Sequence, residues 1–135
     1  MDYKIIDIQG IGPVYDEKLE AAGIKKVSEL VEKGKTPKGR KEIEVATGIR
    51  HDLILTWVNH ADLFRVKGVG PQFAELLEAS GVDTVKEFAH RNAENLVAKM
   101  TEVNEKEHRT RRVPTVKEVQ KMIDLAKELP GVVTY

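Results

Sequence analysis

Ile8-Gln-Gly10-Ile11-Gly12-Pro13 returns as Val66-Lys-Gly68-Val69-Gly70-Pro71, an offset of 58 residues, and each copy runs on through an aromatic residue, a leucine and a stop of small residue, glycine and aliphatic residue. At the same offset Tyr15 meets Phe73, Glu17 meets Glu75, Leu19 meets Leu77, Ala22 meets Ser80, Gly23 meets Gly81, Ile24 meets Val82 and Val27 meets Val85. So many matches indicate an internal duplication. Past residue 90 the register slips by seven, so that Ile54, Trp57, Asn59 and Ala61 pair with Val119, Met122, Asp124 and Ala126. The additional residues belong to a polar stretch near 104 to 114.

Apolar residues fall at helical spacing almost throughout, and no alternating β-branched run demands a strand. The expected class is all-α. Pro13 and Pro71 suit the first position of a helix, Gly23 and Gly81 suit a left-handed stop, and Thr47-Gly48-Ile49 is a third stop of that kind. Starts are marked by Thr36-Pro37, by Thr84 with Glu87 and by Thr115 with Glu118. These marks predict helices over 13–22, 27–33, 37–47, 50–63, 71–80, 85–91, 93–103 and 115–129. The longest connection expected is 104–114, and the apolar tail after Pro130 is expected to pack back on the body.

A chain of 135 residues suits one domain that folds without staples. The reading is a single domain over 1–135, with repeat halves 1–63 and 64–129 and a tail over 130–135. The absence of cysteine excludes disulfides, thiol chemistry and zinc sites of the cysteine type. Met1-Asp-Tyr-Lys4 lacks the basic start of a signal peptide, and no run approaches the roughly 20 apolar residues of a membrane span. A soluble cytoplasmic protein with no membrane role is the expectation. Of the 22 Lys plus Arg and 22 Asp plus Glu, residues 1–65 carry 11 of each and residues 66–135 the other 11 of each. Neither half is a bulk polycation, so any attraction for nucleic acid must come from local clusters.

Gly10-Ile-Gly12-Pro-Val-Tyr-Asp-Glu-Lys-Leu19-Glu-Ala-Ala22-Gly23-Ile24 resembles a helix-hairpin-helix motif, and Gly68-Val-Gly70-Pro-Gln-Phe-Ala-Glu-Leu-Leu77-Glu-Ala-Ser80-Gly81-Val82 resembles a second. The continuations through Thr36-Pro-Lys-Gly-Arg40, Thr47-Gly-Ile49 and Trp57 to Leu63 are similar to those of a family of uncharacterised prokaryotic proteins built from tandem halves of this kind. The resemblance implies two helix-hairpin-helix halves packed into one compact SAM-like helical domain. It also implies contact with the DNA backbone that ignores sequence, with a carbonyl-bound monovalent cation at a hairpin turn as the one cofactor to consider. Physically, the open amides at the start of the following helix, at the positive end of its dipole, favour a phosphate oxygen. DNA-binding members commonly carry a basic or small polar residue after Gly-x-Gly-Pro, where this chain has Val14 and Gln72. The first turn, near Asp7, Gln9 and Asp16, is electrostatically poor for phosphate. The second, with Arg65, Lys67, Gly68, Gly70 and Gln72, is better.

Two basic clusters add candidates. Lys33-Gly34-Lys35-Thr36-Pro37-Lys38-Gly39-Arg40-Lys41 holds five basic residues and no acid, and it supplies Lys35, Lys38, Arg40 and Lys41. Gly34 and Gly39 have the glycine spacing of a nucleotide loop, but Arg40-Lys41 replaces its Gly-Lys-Ser/Thr end. The bland alternative is a solvated turn in which Arg40 pairs with an acid such as Asp62. His108-Arg109-Thr-Arg111-Arg112 supplies Arg109 and Arg111, with Glu102, Glu105 and Glu107 just before it as local neutralisers. Tyr15, Phe73 and Trp57 read as core residues. His51, His60, His90 and His108 are scattered, form no metal or nucleophile pattern, and read as surface or capping residues. The expected role is a non-enzymatic binding module without metal, with DNA as first partner and a protein-interaction scaffold as the alternative. Oligomeric state is left open.

Overall fold

The computed structural model describes residues 2–108 and 111–135. The chain is all-helical: a 3-10 turn at Ile5–Asp7 precedes α1 (Pro13–Ala21), α2 (Val27–Gly34), α3 (Pro37–Thr47), α4 (His51–Leu63), α5 (Pro71–Ala79), α6 (Val85–Ala89), α7 (Ala93–Glu107) and α8 (Val116–Glu128). Among the described residues no helix is long and apolar enough to cross a membrane. Contacts divide the chain into two units, Met1–Asp62 with Val132–Tyr135, and Leu63–Gly131.

Helix limits follow from local chemistry. Pro13, Pro37 and Pro71 each occupy a first position, after Gly12, Thr36 and Gly70 in extended conformation. Thr36, Thr84, Asn92 and Thr115 accept the backbone N–H three residues on, which satisfies one of the donors a helix start leaves open. At Thr115 the Glu118 carboxylate also accepts the Thr115 N–H, closing a reciprocal box. Gly23, Gly48 and Gly81 stop helices at φ of 85°, 73° and 90°, a region that a Cβ disfavours.

In the first unit Ile5, Ile8, Ile11, Leu19, Ile24, Val27 and Leu30 are buried. In the second unit the residues 58 positions on, Leu63, Val66, Val69, Leu77, Val82, Val85 and Phe88, are buried as well. With the slip of seven, Ile54, Val58 and Ala61 of the first unit answer to buried Val119, Ile123 and Ala126 of the second. Backbone bonds recur likewise: Ile11 N to Ile8 O at 3.1 Å and Val69 N to Val66 O at 3.0 Å, then Ile24 N to Leu19 O and Val82 N to Leu77 O, both at 2.9 Å. A Cβ on Gly10 would meet Trp57 Nε1 at 3.2 Å, and one on Gly68 would meet Met122 Sδ at 3.5 Å, so each turn lies on a large side chain of its own unit. Lys33 Nζ reaches the carbonyls of Ala22 and Gly23, both at 3.3 Å, and Arg91 stands at the equivalent place beside Gly81. Both cations complement the negative end of the preceding helix.

Three expectations change. The helix expected to end at 103 runs to Glu107, because Val103 is buried, Glu102 pairs with Lys106 and His108 takes the left-handed cap at φ 50°. The connection expected over 104–114 is shorter by that much. His60 is not a surface residue: it lies in the last turn of α4 with 2 % exposure, next to buried Ala61 and Asp62. The 3-10 turn at Ile5–Asp7, absent from the sequence reading, forms because Ile5 is fully buried and Ile8 N donates back to Ile5 O.

Candidate nucleic-acid interface

The second turn, in the second unit, begins with Gly68 at φ 100° and continues through buried Val69 to extended Gly70. Pro71 has no N–H, and the first amide used within α5 is that of Ala74, which donates to Gly70 O at 2.9 Å. The amides of Gln72 and Phe73 are those a helix start leaves open. Lys67 and Gln72 are exposed on either side of this turn. The Phe73 ring packs edge-on against Phe88, with centroids 6.5 Å apart, so it anchors α5 rather than offering a face to a base.

A groove of about 350 Å³ adjoins the turn, lined by Gly68, Gly70, Gln72, Arg112, Glu118 and Met122 among others. The structure thus brings Arg112, not Arg111, beside the second turn. Arg111 is exposed, and Arg109 lies outside the described residues. Arg112 donates to both Glu118 oxygens, at 2.7 and 2.9 Å, while Glu118 also accepts from Thr115. The Arg112 hydrogen bonds, joined by those from Thr115, pull the Glu118 carboxyl down to about 2. Glu118 in turn holds the Arg112 guanidinium above its ordinary value. The groove wall therefore carries a charge pair rather than a bare cation.

The first turn, in the first unit, has the same glycine geometry, with Gly10 at φ 92° and Gly12 extended. Its flanks differ: Val14 is 65 % exposed, and Gln9 and Asp7 replace cations. Tyr15 packs edge-on against Trp57 at 5.1 Å.

The Lys33–Lys41 cluster, also in the first unit, is largely spent on local contacts. Lys35 pairs with Glu32 at 3.0 Å and Lys41 with Glu44 at 2.9 Å, while Lys38 stands exposed. The exposed pairs hold only about 0–1 kcal/mol each. Arg40 is different: it is buried at 2 % exposure, and donates to Gly34 O at 2.9 Å and Thr134 O at 2.7 Å. In this conformation it is withdrawn from solvent by backbone carbonyls rather than offered to a ligand. Gly34 and Gly39 are packing glycines: a Cβ would lie 2.5 Å from Val58 and 2.0 Å from the Lys33 carbonyl, respectively.

Sequence reasoning missed Arg112 as the residue beside the second turn, and the covering of Arg40. Arg40, Ile43 and Thr47 share a helical face, and Ile43 is buried, so the spacing itself held the signal for Arg40. Among the described residues, no group of three or more His, Cys, Asp or Glu side chains is placed to hold a metal ion. No curated protein and no solved structure matches the chain. The model of one family, described as a domain of unknown function (DUF4332), matches residues 9–129, and the chain belongs to that family.

Proposed function

We propose that the protein is a non-enzymatic binding module that holds the phosphate backbone of DNA, without regard to sequence, through the second of two helix-hairpin-helix turns. The observation that carries this reading is a left-handed glycine, an extended glycine and a proline-started helix in succession, flanked by exposed Lys67 and Gln72. Open amides at a helix start favour an oxyanion, and the nearby cation adds long-range attraction. Contacts of this kind hold sugar and phosphate rather than base edges, so they fix position without reading sequence. Half-buried Lys35 with exposed Lys38 and Lys41 forms a second basic patch that can add phosphate contacts once the pairs of Lys35 and Lys41 exchange.

The test is a fluorescence titration of single-stranded, duplex and branched DNA at several salt concentrations. Weak binding that falls with salt, and that Lys67→Ala with Gln72→Ala reduces equally on unrelated sequences, supports the reading. Repeating the titration in potassium and in tetramethylammonium chloride reports whether a monovalent cation on the turn's carbonyls takes part. Absence of binding at low salt, where charges are least screened, favours the second reading, a protein-interaction scaffold. The observation behind that alternative is the exposed Val14 at the first turn, where a phosphate binder needs a polar residue.

A further inference from the structure

Arg40 combines deep burial with incomplete satisfaction. Its Nη1 and Nη2 donate to the carbonyls of Gly34 and Thr134, but its Nε is buried with no hydrogen-bond partner among the described residues. An unsatisfied donor on a charged group removed from water is costly, and natural structures rarely keep one without a reason. Thr134 and Tyr135, of the segment Val132–Tyr135 that belongs to the first unit, cover one side of this guanidinium. Thr134 N–H donates to the Lys35 carbonyl at 2.7 Å, the Tyr135 ring lies 5.6 Å from the Arg40 guanidinium carbon, and Tyr135 OH donates to Asn59 Oδ1 at 2.7 Å.

This cover is held mainly by polar contacts and lies at the surface. Tyr135 is 69 % exposed, Thr134 is exposed, and Val132 and Val133 are only half-buried. A surface strap held mainly by polar contacts, with its valines only half-buried, opens at lower free energy than the core beneath it. Beneath it lies a planar fork of donors that matches phosphate oxygens, on the same helix as Lys38 and Lys41 and five residues after Lys35.

We propose that Val132–Tyr135 is a detachable cover over an oxyanion seat centred on Arg40, which takes a phosphate group when the strap lifts. In the exchange Nη2 leaves the Thr134 carbonyl for a phosphate oxygen, Nε gains the partner it lacks, and Nη1 stays on Gly34. Thr134 and phosphate compete for the same guanidinium, so the strap is autoinhibitory. The seat is independent of the second-turn reading, because it belongs to the first unit and uses none of Lys67, Gly68, Gly70 or Gln72. Affinity measured on the closed protein is reduced by the fraction of time the seat is open, and loosening the strap returns that factor, about ten-fold for a state open a tenth of the time.

The experiment titrates inorganic phosphate, and separately a short DNA duplex, into the full chain carrying Thr134→Pro with Tyr135→Ala, following the Arg40 Nε–H signal by NMR. Proline removes the N–H that Lys35 accepts, and alanine removes the ring over Arg40. The expected result is a gain of about ten-fold on at least one probe, a shifted Arg40 Nε–H signal, and loss of the gain when Arg40→Lys removes the fork. A gain on inorganic phosphate alone assigns the seat to a free phosphate group; a gain on the duplex as well assigns it to the backbone. A folded variant with parental affinity for both probes, or a gain that survives Arg40→Lys, overturns the proposal. Should the double variant not fold, Tyr135→Ala alone decides: unchanged phosphate affinity and unchanged exchange of the Thr134 amide overturn it. Lys67→Ala with Gln72→Ala, run in parallel, reports on the second turn separately.

Discussion

Replacing Gly39 by alanine tests whether the glycines of the basic cluster serve packing or a ligand. An added Cβ would sit 2.0 Å from the Lys33 carbonyl oxygen and 3.2 Å from Thr36 Oγ1. Ordinary contact needs about 3.5 Å, so the first turn of α3 must retreat from the end of α2 by roughly 1.5 Å. Backbone on both sides of the clash leaves no flexible side chain to absorb it. The retreat pulls apart the packed helices α2 and α3, which carry buried Leu30 and Ile43, and strains the bond from Gly39 N–H to Thr36 Oγ1 at 3.0 Å. Overpacking costs about 1–3 kcal/mol and a weakened cap about 1 kcal/mol more, giving a loss of roughly 2–4 kcal/mol. Gly12→Ala is the control, since its backbone is extended and nothing lies within 4 Å of an added Cβ. Urea denaturation followed by circular dichroism measures both variants. A Gly39→Ala protein within about 0.5 kcal/mol of the parent, the ordinary range for an innocuous surface change, would falsify the packing assignment.

Leu19→Ala and Leu77→Ala, fully buried at equivalent places in their units, should each cost about 2–5 kcal/mol in the same assay; a cost under 1 kcal/mol at either would mean that the unit does not rely on that position. Gly81→Val should destabilise by at least about 1 kcal/mol, because Gly81 sits at φ 90° while the nearest atom to its Cβ is 3.8 Å away, so strain and not crowding is the cause. Glu118 has its carboxyl pKa lowered from 4.5 to about 2 in the folded chain, so its contribution is complete above about 4.5 and is lost as pH falls toward 2. The stability gap between the parent and Glu118→Gln should therefore narrow across that window, and a gap that widens on acidification would contradict the Arg112–Glu118 pairing.

How much of this was legible in the chain depends on whether a residue's position was fixed by neighbours in sequence or by distant packing. Pro13, Pro37 and Pro71 at helix starts, Gly23, Gly48 and Gly81 at helix ends, and the box at Thr115 and Glu118 are local devices, and the structure has each where the sequence placed it. Trp57 and Met122, which the seven-residue slip pairs in sequence, are the side chains nearest a Cβ added at Gly10 and Gly68. Arg40 was harder, because its cover comes from Tyr135 and from Thr134, whose carbonyl, 94 residues along the chain, accepts the Arg40 Nη2–H. Arg112 and Arg111 are adjacent in sequence, and only the path of the chain into α8 selects which one lines the groove. The basic cluster at Lys33–Lys41 reads as a bare patch in one dimension, whereas Glu32 and Glu44, one helical turn from Lys35 and Lys41, neutralise part of it in three.

In the proposed function the second turn, and not the first, receives a DNA phosphate. Amide chemical shifts recorded while a short duplex is added at low salt test it most directly, since the two turns share their backbone bonds and differ in their flanks. The largest shifts are expected at Gly70, Gln72 and Phe73, with little change at Gly12, Val14 and Tyr15. Binding should weaken with salt at a slope set by roughly three to five neutralised charges. Shifts centred on Val14 and Tyr15, or saturating binding that leaves the amides of Gln72 and Phe73 unmoved, would contradict it.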